Sequence, residues 1–245
     1  MSGSRGKARV ETGRGAVAYR ITHRDRVTKR MHLELDPDGG LRVVAPRHWS
    51  EAQVGELLQQ HAQHVERFLD RARRRRLPPL RYAAGGIHWF RGRQYRLRLE
   101  EASGGRSGLT LDGDQLIVRG PAKDEQSVAL ALRRWYLSEA RRRFHERLDA
   151  IARRAPWVGD RAVALRLRRM KRTWGTCSRE GVVRLNTHLV KAPPACLDYV
   201  IAHELCHLRE MNHGPAFYRL QQRLFPDWRT LRAHLREHGH RYTQE

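Results

Sequence analysis

The stretch that organises this chain is residues 199–217, YVIAHELCHLREMNHGPAF. His203 and His207 are four residues apart, so on a helix they lie on one face and can bind one metal ion through their imidazole nitrogens. Glu204 stands beside this pair, where its carboxylate can take a proton from a water molecule that the metal activates. The H-E-x-x-H spacing therefore indicates the catalytic helix of a metal-dependent hydrolase.

The residues around this motif favour a buried helix. They are apolar on almost every side, so the histidines and the glutamate are expected to be withdrawn from bulk solvent. The apolar positions are Tyr199, Val200, Ile201, Ala202, Leu205, Cys206 and Leu208.

His213 supplies a third candidate ligand if the helix ends before it. An uninterrupted helix would carry His213 to a different face, but Asn212, Gly214 and Pro215 are typical of a helix end followed by the first turn of a new helix. The chain can then fold His213 back towards the metal. Three nitrogen ligands leave the fourth tetrahedral position for water, as in catalytic zinc sites.

Simpler interpretations apply to three residues here. His213 taken alone could cap a helix. Cys206 is expected to be a small core residue, because a cysteine ligand would leave His207 redundant. Glu210 is either a solvated charge or a partner of a histidine, and the sequence does not separate the two.

The composition is strongly basic. The 245 residues can form one large domain or two modest ones, and 40% of them are hydrophobic. There are 49 Lys and Arg against 26 Asp and Glu, a net charge of +23 that would attract a nucleotide or nucleic acid. Arginine is spread along the whole sequence, however, as a general compositional preference for arginine would also produce.

The three cysteines are unevenly spaced and form no CxxC pair, which is typical of a reducing compartment. The first thirty residues lack the apolar core of a signal peptide, and no apolar run approaches the length of a membrane span. The sequence thus predicts a soluble, cytoplasmic protein without a membrane partner, and it gives no signal for an oligomeric state.

The first half of the chain reads as a strand-rich module over residues 15–120. Residues 1–14 are rich in Ser, Gly, Arg and Lys and are expected to be disordered. Ser50 and Gln53 form a capping box that opens a single helix ending at the basic run 73–76. Alternating apolar residues predict strands at 16–22, 31–36, 41–45, 87–90, 94–100, 109–111 and 115–119.

Gly120 and Pro121 mark the expected boundary of a second domain, 121–245. A long amphipathic helix is predicted over about 124–154, and strands near 163–167 and around Val183 and Leu185. The metal helix follows, with two further helices at 215–224 and 228–238. The expected fold class is α+β, a strand-rich N-terminal module followed by a domain that contains the H-E-x-x-H helix.

Several short motifs recur here in a fixed order. They are Trp174–Ser178 (WGTCS), Leu185-Asn186, Asp198–Ile201 (DYVI), the H-E-x-x-H motif, Asn212-His213 and Phe217-Tyr218. This series resembles the YgjP-like family of bacterial zinc metallopeptidases, often labelled SprT-like. The resemblance implies a zincin-like catalytic domain in which His203, His207 and His213 hold one Zn²⁺ ion and Glu204 is the general base. It also implies remoter kinship with DNA-associated proteases. Glu210 stands where metzincins need glycine, so the chain is not assigned to that group.

The leading hypothesis is a zinc peptidase acting on a protein or peptide substrate. A nucleoside triphosphate pyrophosphatase using the same metal, and a DNA-associated protease or zinc-containing nucleic-acid-binding module, are the alternatives. Strand 181–186 is the candidate edge for pairing with an extended substrate. His188, Lys171 or Arg172 could stabilise the oxyanion. Trp174 and Trp228 are expected to be core or cleft-wall residues.

Overall fold

The structure is a computed structural model that describes residues 8–25, 27, 29–36, 38–75, 77–101, 107–120, 124–160 and 162–244. It is a mixed α+β protein, and its internal contacts divide the chain into two compact units, Met1–Leu77 and Pro78–Glu245. Each unit has its own sheet and its own buried core. No helix in the described part of the chain is both long enough and apolar enough to span a membrane.

The sheet of the first unit has four strands. They are β1 (Ala8–Thr12), β2 (Gly15–His23), β3 (His32–Leu35) and β4 (Leu41–Ala45), in the order β1-β2-β4-β3. The two hairpins are antiparallel, and the central strands β2 and β4 are parallel. The expected alternation over residues 31–45 corresponds to the β3–β4 hairpin.

Strand β1 lies within the segment 1–14 that was expected to be disordered, so that expectation is wrong for residues 8–12. β1 pairs along its length with β2, and Val10 is 1% exposed in the core. The backbone N–H of Glu11 also donates to Oε1 of Gln59, while Nε2 of Gln59 donates to the Glu11 carbonyl. The polar composition hid this strand because it has a single deeply buried side chain. Residues 1–7 lie outside the described residues.

Two helices, α1 (Glu51–Gln60) and α2 (Ala62–Arg75), replace the single helix expected after Ser50. Ser50 and Gln53 form the expected capping box at the start of α1. The break is at His61, whose φ of −111° and ψ of 27° depart from helical geometry. The break lets both helices cover the sheet, with Val54 and Leu58 of α1 and Val65 of α2 in its core.

The second unit begins with another four-stranded sheet of the same topology. Its strands are β5 (Ile87–Phe90), β6 (Arg93–Glu100), β7 (Gly108–Asp112) and β8 (Gln115–Arg119), in the order β5-β6-β8-β7. The hairpins are again antiparallel and the central pair β6–β8 parallel.

A long helix, α3 (Glu125–Ala152), ties this sheet to the rest of the second unit. Val128 and Leu132 in its first half pack with Leu97 and Leu116 of the sheet. The chain therefore divides into its compact units between Leu77 and Pro78, and not at the expected boundary of Gly120 and Pro121. The expected boundary rested on the change from a strand-rich segment to a long helix. The contacts between strands β5–β8 and α3, which place both in one unit, cannot be read from local sequence.

The remainder of the second unit carries the H-E-x-x-H residues. A small sheet of β9 (Ala164–Arg168), β10 (Gly175–Cys177) and β11 (Val182–Asn186) has the order β10-β11-β9. A 3-10 helix (Thr187–Lys191), α4 (Pro194–Cys206), α5 (Pro215–Leu224) and α6 (Trp228–Tyr242) follow. One apolar core joins the second half of α3 to β11 and α4 through buried residues that include Phe144, Leu148, Ile151, Val183, Leu185, Ile201 and Leu205.

Candidate metal centre

Helix α4 holds the H-E-x-x-H residues from inside the core. It starts with Pro194, a residue suited to the first helical turn because the amide there has no helical partner. Arg147 of α3 donates two hydrogen bonds, of 2.7 and 2.8 Å, to the carboxylate of Asp198. At the other end, the indole N–H of Trp157 donates to the Leu205 carbonyl at 2.9 Å. Both ends of the helix are thus fixed by side chains from elsewhere in the unit.

The helix ends earlier than the sequence suggested. Its last residue is Cys206, and His207 is the C-cap. The N–H groups of Leu208 and Arg209 donate to carbonyls three residues back, which tightens the chain into a turn. The next helix starts at Pro215, as expected. This early turn begins the reversal that brings His213 back to α4.

The three predicted ligands are gathered together. One ring nitrogen from each of His203, His207 and His213 lies within 4.8 Å of the others. Nε2 of His203 and Nε2 of His213 are 3.1 Å apart. Tetrahedral zinc with bonds of about 2.1 Å needs ligand nitrogens about 3.4 Å apart, so small side-chain adjustments suffice for all three to bind one ion.

The protonation of the cluster also suits a metal. Burial, followed by the neighbouring charges of His207 and His213, lowers the pKa of His203 to about 4. Burial likewise lowers the pKa of His207. Both rings are therefore neutral near pH 7, the form in which imidazole binds a metal. The residues present fit a metal ion of the zinc type.

Groups behind the histidines fix their orientation. Nδ1 of His207 donates to the Glu210 carbonyl at 3.1 Å, which turns its Nε2 towards the cluster. Glu210 thus contacts a histidine, but through its backbone. The buried ring of Phe217 lies 4.6 to 4.9 Å, centroid to centroid, from all three imidazoles. The fully buried amide of Gln221 lacks a well-formed hydrogen bond, yet its polar contact with His203 acts to raise that histidine's pKa.

Glu204 is buried beside the cluster, with 4% of its surface exposed. Burial raises the pKa of its carboxyl group to about 8, whereas a bound cation would favour the carboxylate. A Cβ atom added to Gly175 would lie only 2.5 Å from Oε1 of Glu204. The glycine of the WGTCS motif therefore leaves the space that the Glu204 side chain occupies.

The histidines and Glu204 open into one cleft of about 1040 Å³. Strand β10 forms one wall, and α6 contributes the exposed arginines Arg229, Arg232 and Arg236. Trp174 and Trp228 are also in this wall. Burial raises the pKa of the Cys177 thiol to about 11, so this cysteine stays protonated near neutral pH.

The strand next to the cleft differs from the one expected. β11, which spans most of the predicted segment 181–186, is the central strand of its sheet and pairs with both β10 and β9. Its backbone groups are already used, so β11 cannot be the edge that accepts a substrate. β10 is an edge strand, and all three of its residues line the cleft.

The three expected oxyanion-stabilising residues lie in different places. Arg172 lines the metal cleft. His188 lines a separate cavity, so its assignment to the oxyanion is wrong. Lys171 is exposed and is not among the described cleft residues.

Sequence reasoning gave no electrostatic role to two residues of the metal cleft, Tyr199 and Arg232. Burial raises the pKa of Tyr199 to about 12, and the positive charge of Arg232 opposes this shift. The same arginine acts to lower the pKa of His203, so its charge reaches the cluster. The sequence could have indicated Tyr199, because it lies one helical turn before His203 on the same helix. It could not have singled out Arg232 among the arginines of α6, because only the fold brings that helix to the cleft.

Comparison with known proteins places this site in a family. Two solved structures are similar to part of the chain: the metallopeptidase zymogen of Pyrococcus abyssi abylysin (22% identity, 38% of this chain and 93% of that one, TM-score 0.33) and that of Methanocaldococcus jannaschii jannalysin (21% identity, 37% and 90%, TM-score 0.33). No curated protein matched. The profile of the YgjP-like metallopeptidase domain matches residues 29–238, a range that includes Glu204 and the three histidines. The chain belongs to the YgjP-like metallopeptidase family.

Proposed function

We propose that this chain is a zinc-dependent peptidase that binds one zinc ion through His203, His207 and His213 and uses Glu204 as its general base. The observation that carries the proposal is the convergence of three imidazole nitrogens within 4.8 Å, beside a buried carboxylate, in one open cleft. Three nitrogen ligands with an open fourth position are typical of catalytic zinc.

The residues of the cleft then have distinct tasks. When bound, zinc supplies a Lewis acid that polarises the scissile carbonyl and makes water more acidic. Glu204 accepts a proton from the attacking water at its carboxylate and returns it to the nitrogen of the leaving amine. The missing side chain of Gly175 leaves room for this carboxylate next to strand β10.

Strand β10 is the proposed docking edge for the substrate. Gly175, Thr176 and Cys177 pair with β11 on one side only among the described strands, and they line the metal cleft. An extended peptide can add to such an edge through backbone hydrogen bonds, which hold its carbonyls in register with the metal.

Arg232 is the proposed oxyanion-stabilising residue. Its charge acts on both His203 and Tyr199, and its guanidinium is exposed in the same cleft. A positive group next to the polarised carbonyl stabilises the negative charge that develops on its oxygen. Arg172, on the loop before β10, is a second cationic group lining the cleft.

The cleft favours acidic substrates. Four arginines line it (Arg172, Arg229, Arg232 and Arg236), and Glu204 is the only acidic residue among the described lining. A peptide with Asp or Glu beside the scissile bond is expected to bind better than its Lys or Arg counterpart. The same charge would suit a polyphosphate, which keeps hydrolysis of a nucleoside triphosphate as the second candidate.

The decisive experiment compares wild type with Glu204→Gln. Zinc content and the turnover of an unfolded protein and of nucleoside triphosphates are measured for both proteins. Because glutamine cannot accept the proton, protein cleavage should fall by about 10³-fold while zinc stays bound.

The control is Glu237→Gln, which removes an exposed carboxylate of α6 that is not among the cleft residues. It should cleave like wild type. Equal protein cleavage by wild type and Glu204→Gln would end the catalytic proposal. Loss of triphosphate hydrolysis alone would favour the second candidate.

A further inference from the structure

Arg229, in the first turn of α6, is an arginine of the metal cleft that two contacts hold in place. Its Nη1 donates a hydrogen bond of 3.0 Å to Oε1 of Gln222. Its guanidinium carbon lies 4.6 Å from the centre of the Trp228 ring, so the flat cation rests on the indole. A guanidinium with one hydrogen-bonded end and one stacked face has lost much of the freedom of a surface arginine.

The acceptor of this hydrogen bond, Gln222, is itself fixed. Its Nε2 donates to the Pro226 carbonyl at 3.2 Å, which sets the orientation of the amide. Its Oε1 then accepts from both the Trp228 indole N–H and Nη1 of Arg229, each at 3.0 Å. The corner between α5 and α6 therefore holds the guanidinium in a defined orientation.

A series of stacked rings connects this arginine with the metal centre. Trp228 stacks on Tyr218 with ring centres 5.1 Å apart, and Tyr218 stacks on His213 at 6.4 Å. An extended peptide covers about 3.4 Å per residue, so about five residues span the whole series. Arg229 is therefore within reach of a short peptide whose scissile bond lies at the metal.

The guanidinium keeps donors for a ligand. An arginine side chain has five N–H donors, and the hydrogen bond to Gln222 uses one of them. No described carboxylate forms an ion pair with Arg229, and Glu204 is the only acidic residue in the described cleft lining. A planar guanidinium in a fixed orientation matches the two oxygens of a carboxylate.

Arg172 is the natural comparison within the cleft. It lies on the loop before β10, and its exposed side chain makes no hydrogen bond or ion pair with the described residues. Such an arginine contributes positive charge, but its guanidinium has no preferred orientation. Recognition of a particular group is therefore expected at Arg229, and general attraction of anions at Arg172.

We propose that Arg229 anchors a carboxylate of the substrate through two parallel hydrogen bonds and so determines the specificity of the cleft. The carboxylate belongs to an Asp or Glu side chain or to the C-terminus of the peptide, since both present the same pair of oxygens. This inference rests on the proposed peptidase function for the identity of the ligand as a peptide. It goes further by assigning recognition to one residue and one geometry, whereas positive charge alone would attract any anion.

The test measures peptide binding by isothermal titration calorimetry to the full-length, zinc-loaded Glu204→Gln protein, so that cleavage does not interfere. Three acetylated probes are used: penta-glutamate amide, penta-glutamine amide and penta-glutamine with a free C-terminus. The first carries only side-chain carboxylates, the second has none, and the third has only the terminal one. Because charge-assisted hydrogen bonds are strong, the carboxylate that Arg229 recognises should improve affinity over penta-glutamine amide by about tenfold or more.

Four substitutions in that protein locate the anchor. Arg229→Lys keeps the charge but removes the planar pair of donors, so it should weaken the recognised probe by about tenfold and leave penta-glutamine amide unchanged. Gln222→Ala removes the acceptor that holds Arg229 and should weaken the same probe by about threefold. Arg172→Lys, in the cleft, and Arg223→Lys, exposed and outside the described cleft lining, should each change binding by less than about twofold.

The probe that loses affinity in Arg229→Lys identifies the source of the carboxylate. A loss for penta-glutamate amide supports an anchor for acidic side chains, and a loss for penta-glutamine with a free C-terminus supports an anchor for the end of the chain. ATP is titrated as a fourth ligand. If Arg229→Lys weakened ATP binding and neither carboxylate probe, the group recognised would be a phosphate and the proposal would be wrong.

Three further results would overturn the proposal. They are absence of binding of all the peptide probes, unchanged binding in Arg229→Lys, and equal losses in Arg229→Lys and Arg172→Lys. Cleavage does not enter the readout. A wild type that binds the probes but cleaves no peptide would therefore refute the proposed function and leave the assignment of Arg229 standing.

Discussion

The two four-stranded sheets have the same topology but different partners. In each, two antiparallel hairpins meet through a parallel central pair, β2–β4 in one sheet and β6–β8 in the other. A helix follows the last strand in both cases. The first sheet is covered by α1 and α2, which end within its own unit, whereas α3 continues past the second sheet.

The length of the following helix accounts for the difference. α3 has 28 residues, so its first half closes the second sheet and its second half enters the core behind the metal helix. α1 and α2 have 10 and 14 residues and share their core with the first sheet alone. One arrangement of strands thus serves as a self-contained layer in one unit and as part of the catalytic core in the other.

The largest expected effect comes from breaking the link made by α3. Phe144→Ala removes a fully buried ring from the core shared by α3, β11 and α4. It should lower the free energy of unfolding by about 4 kcal/mol and weaken binding of the proposed zinc ion together with stability. Guanidinium denaturation and zinc content measure the two effects. Normal zinc binding in a strongly destabilised variant would show that α3 does not support the metal site.

The matched change in the first unit is Leu58→Ala. Leu58 is fully buried between α1 and the first sheet. The variant should lose about 3 kcal/mol of stability in the first unit while keeping the proposed zinc binding and peptidase activity at the wild-type level. Limited proteolysis followed by mass spectrometry shows which unit opens. Loss of zinc at the same denaturant concentration would mean that the two units unfold together.

The small sheet β10-β11-β9 has no counterpart among the described residues of the first unit. A substitution of Asn186 tests the role of this sheet. Its Nδ2 donates to the carbonyls of Met170 and Thr173, and its Oδ1 accepts from the N–H of His188. Asn186→Ala leaves these buried groups unpaired and should cost about 2 kcal/mol. Because the loop before β10 loosens, KM for a peptide should rise more than kcat falls. Unchanged kinetics would contradict a role for this loop in substrate binding.

Substitution of the N-cap residues is expected to have the smallest effect on the free energy of unfolding. The pH dependence of that effect distinguishes the two caps. Ser50 caps α1 and Asp124 caps α3. Hydrogen bonds from the backbone and hydroxyl of Ser127 lower the pKa of Asp124 below its ordinary 3.8. The stabilisation that the Asp124 carboxylate gives to the folded protein is therefore complete above pH 3.8. It is lost as the pH falls through the pKa of Asp124 in the folded protein, which lies below 3.8. Ser50→Ala should cost about 1 kcal/mol at every pH.

Asp124→Ala should be destabilised relative to wild type at neutral pH, and the difference should shrink in acid. Guanidinium denaturation at pH 7, 5 and 3 measures both variants against wild type. A constant difference for Asp124→Ala, or a pH-dependent one for Ser50→Ala, would contradict the assignment of the caps.

Much of the fold follows from local pattern, and the exceptions have common causes. The strands Ile87–Phe90 and Gln115–Arg119 and the helix Pro215–Leu224 lie where alternation and proline signals placed them. The break at His61, the unit boundary at Leu77 and the pairing of β1 depend on contacts between distant residues. Periodicity over a few residues does not report such contacts.

In the site, too, features set by local sequence could be predicted and features set by distant contacts could not. His203, His207 and His213 could be predicted to meet because a helix and a turn place them within eleven residues of sequence. The position of β11 between two strands, and of His188 in another cavity, depends on sheet order and could not be predicted. The charge of Arg232 on α6 acts on His203, although the two residues are almost thirty positions apart in sequence.

Gly175 offers a way to recognise inactive relatives. The three atoms nearest to a methyl group at this position all belong to the side chain of Glu204, at 2.5 to 2.9 Å. We expect a natural homologue with an intact H-E-x-x-H motif but a larger residue here to retain its metal and lose its hydrolytic chemistry. A motif search alone would count such a protein as an enzyme, whereas this single position would identify it as a pseudoenzyme.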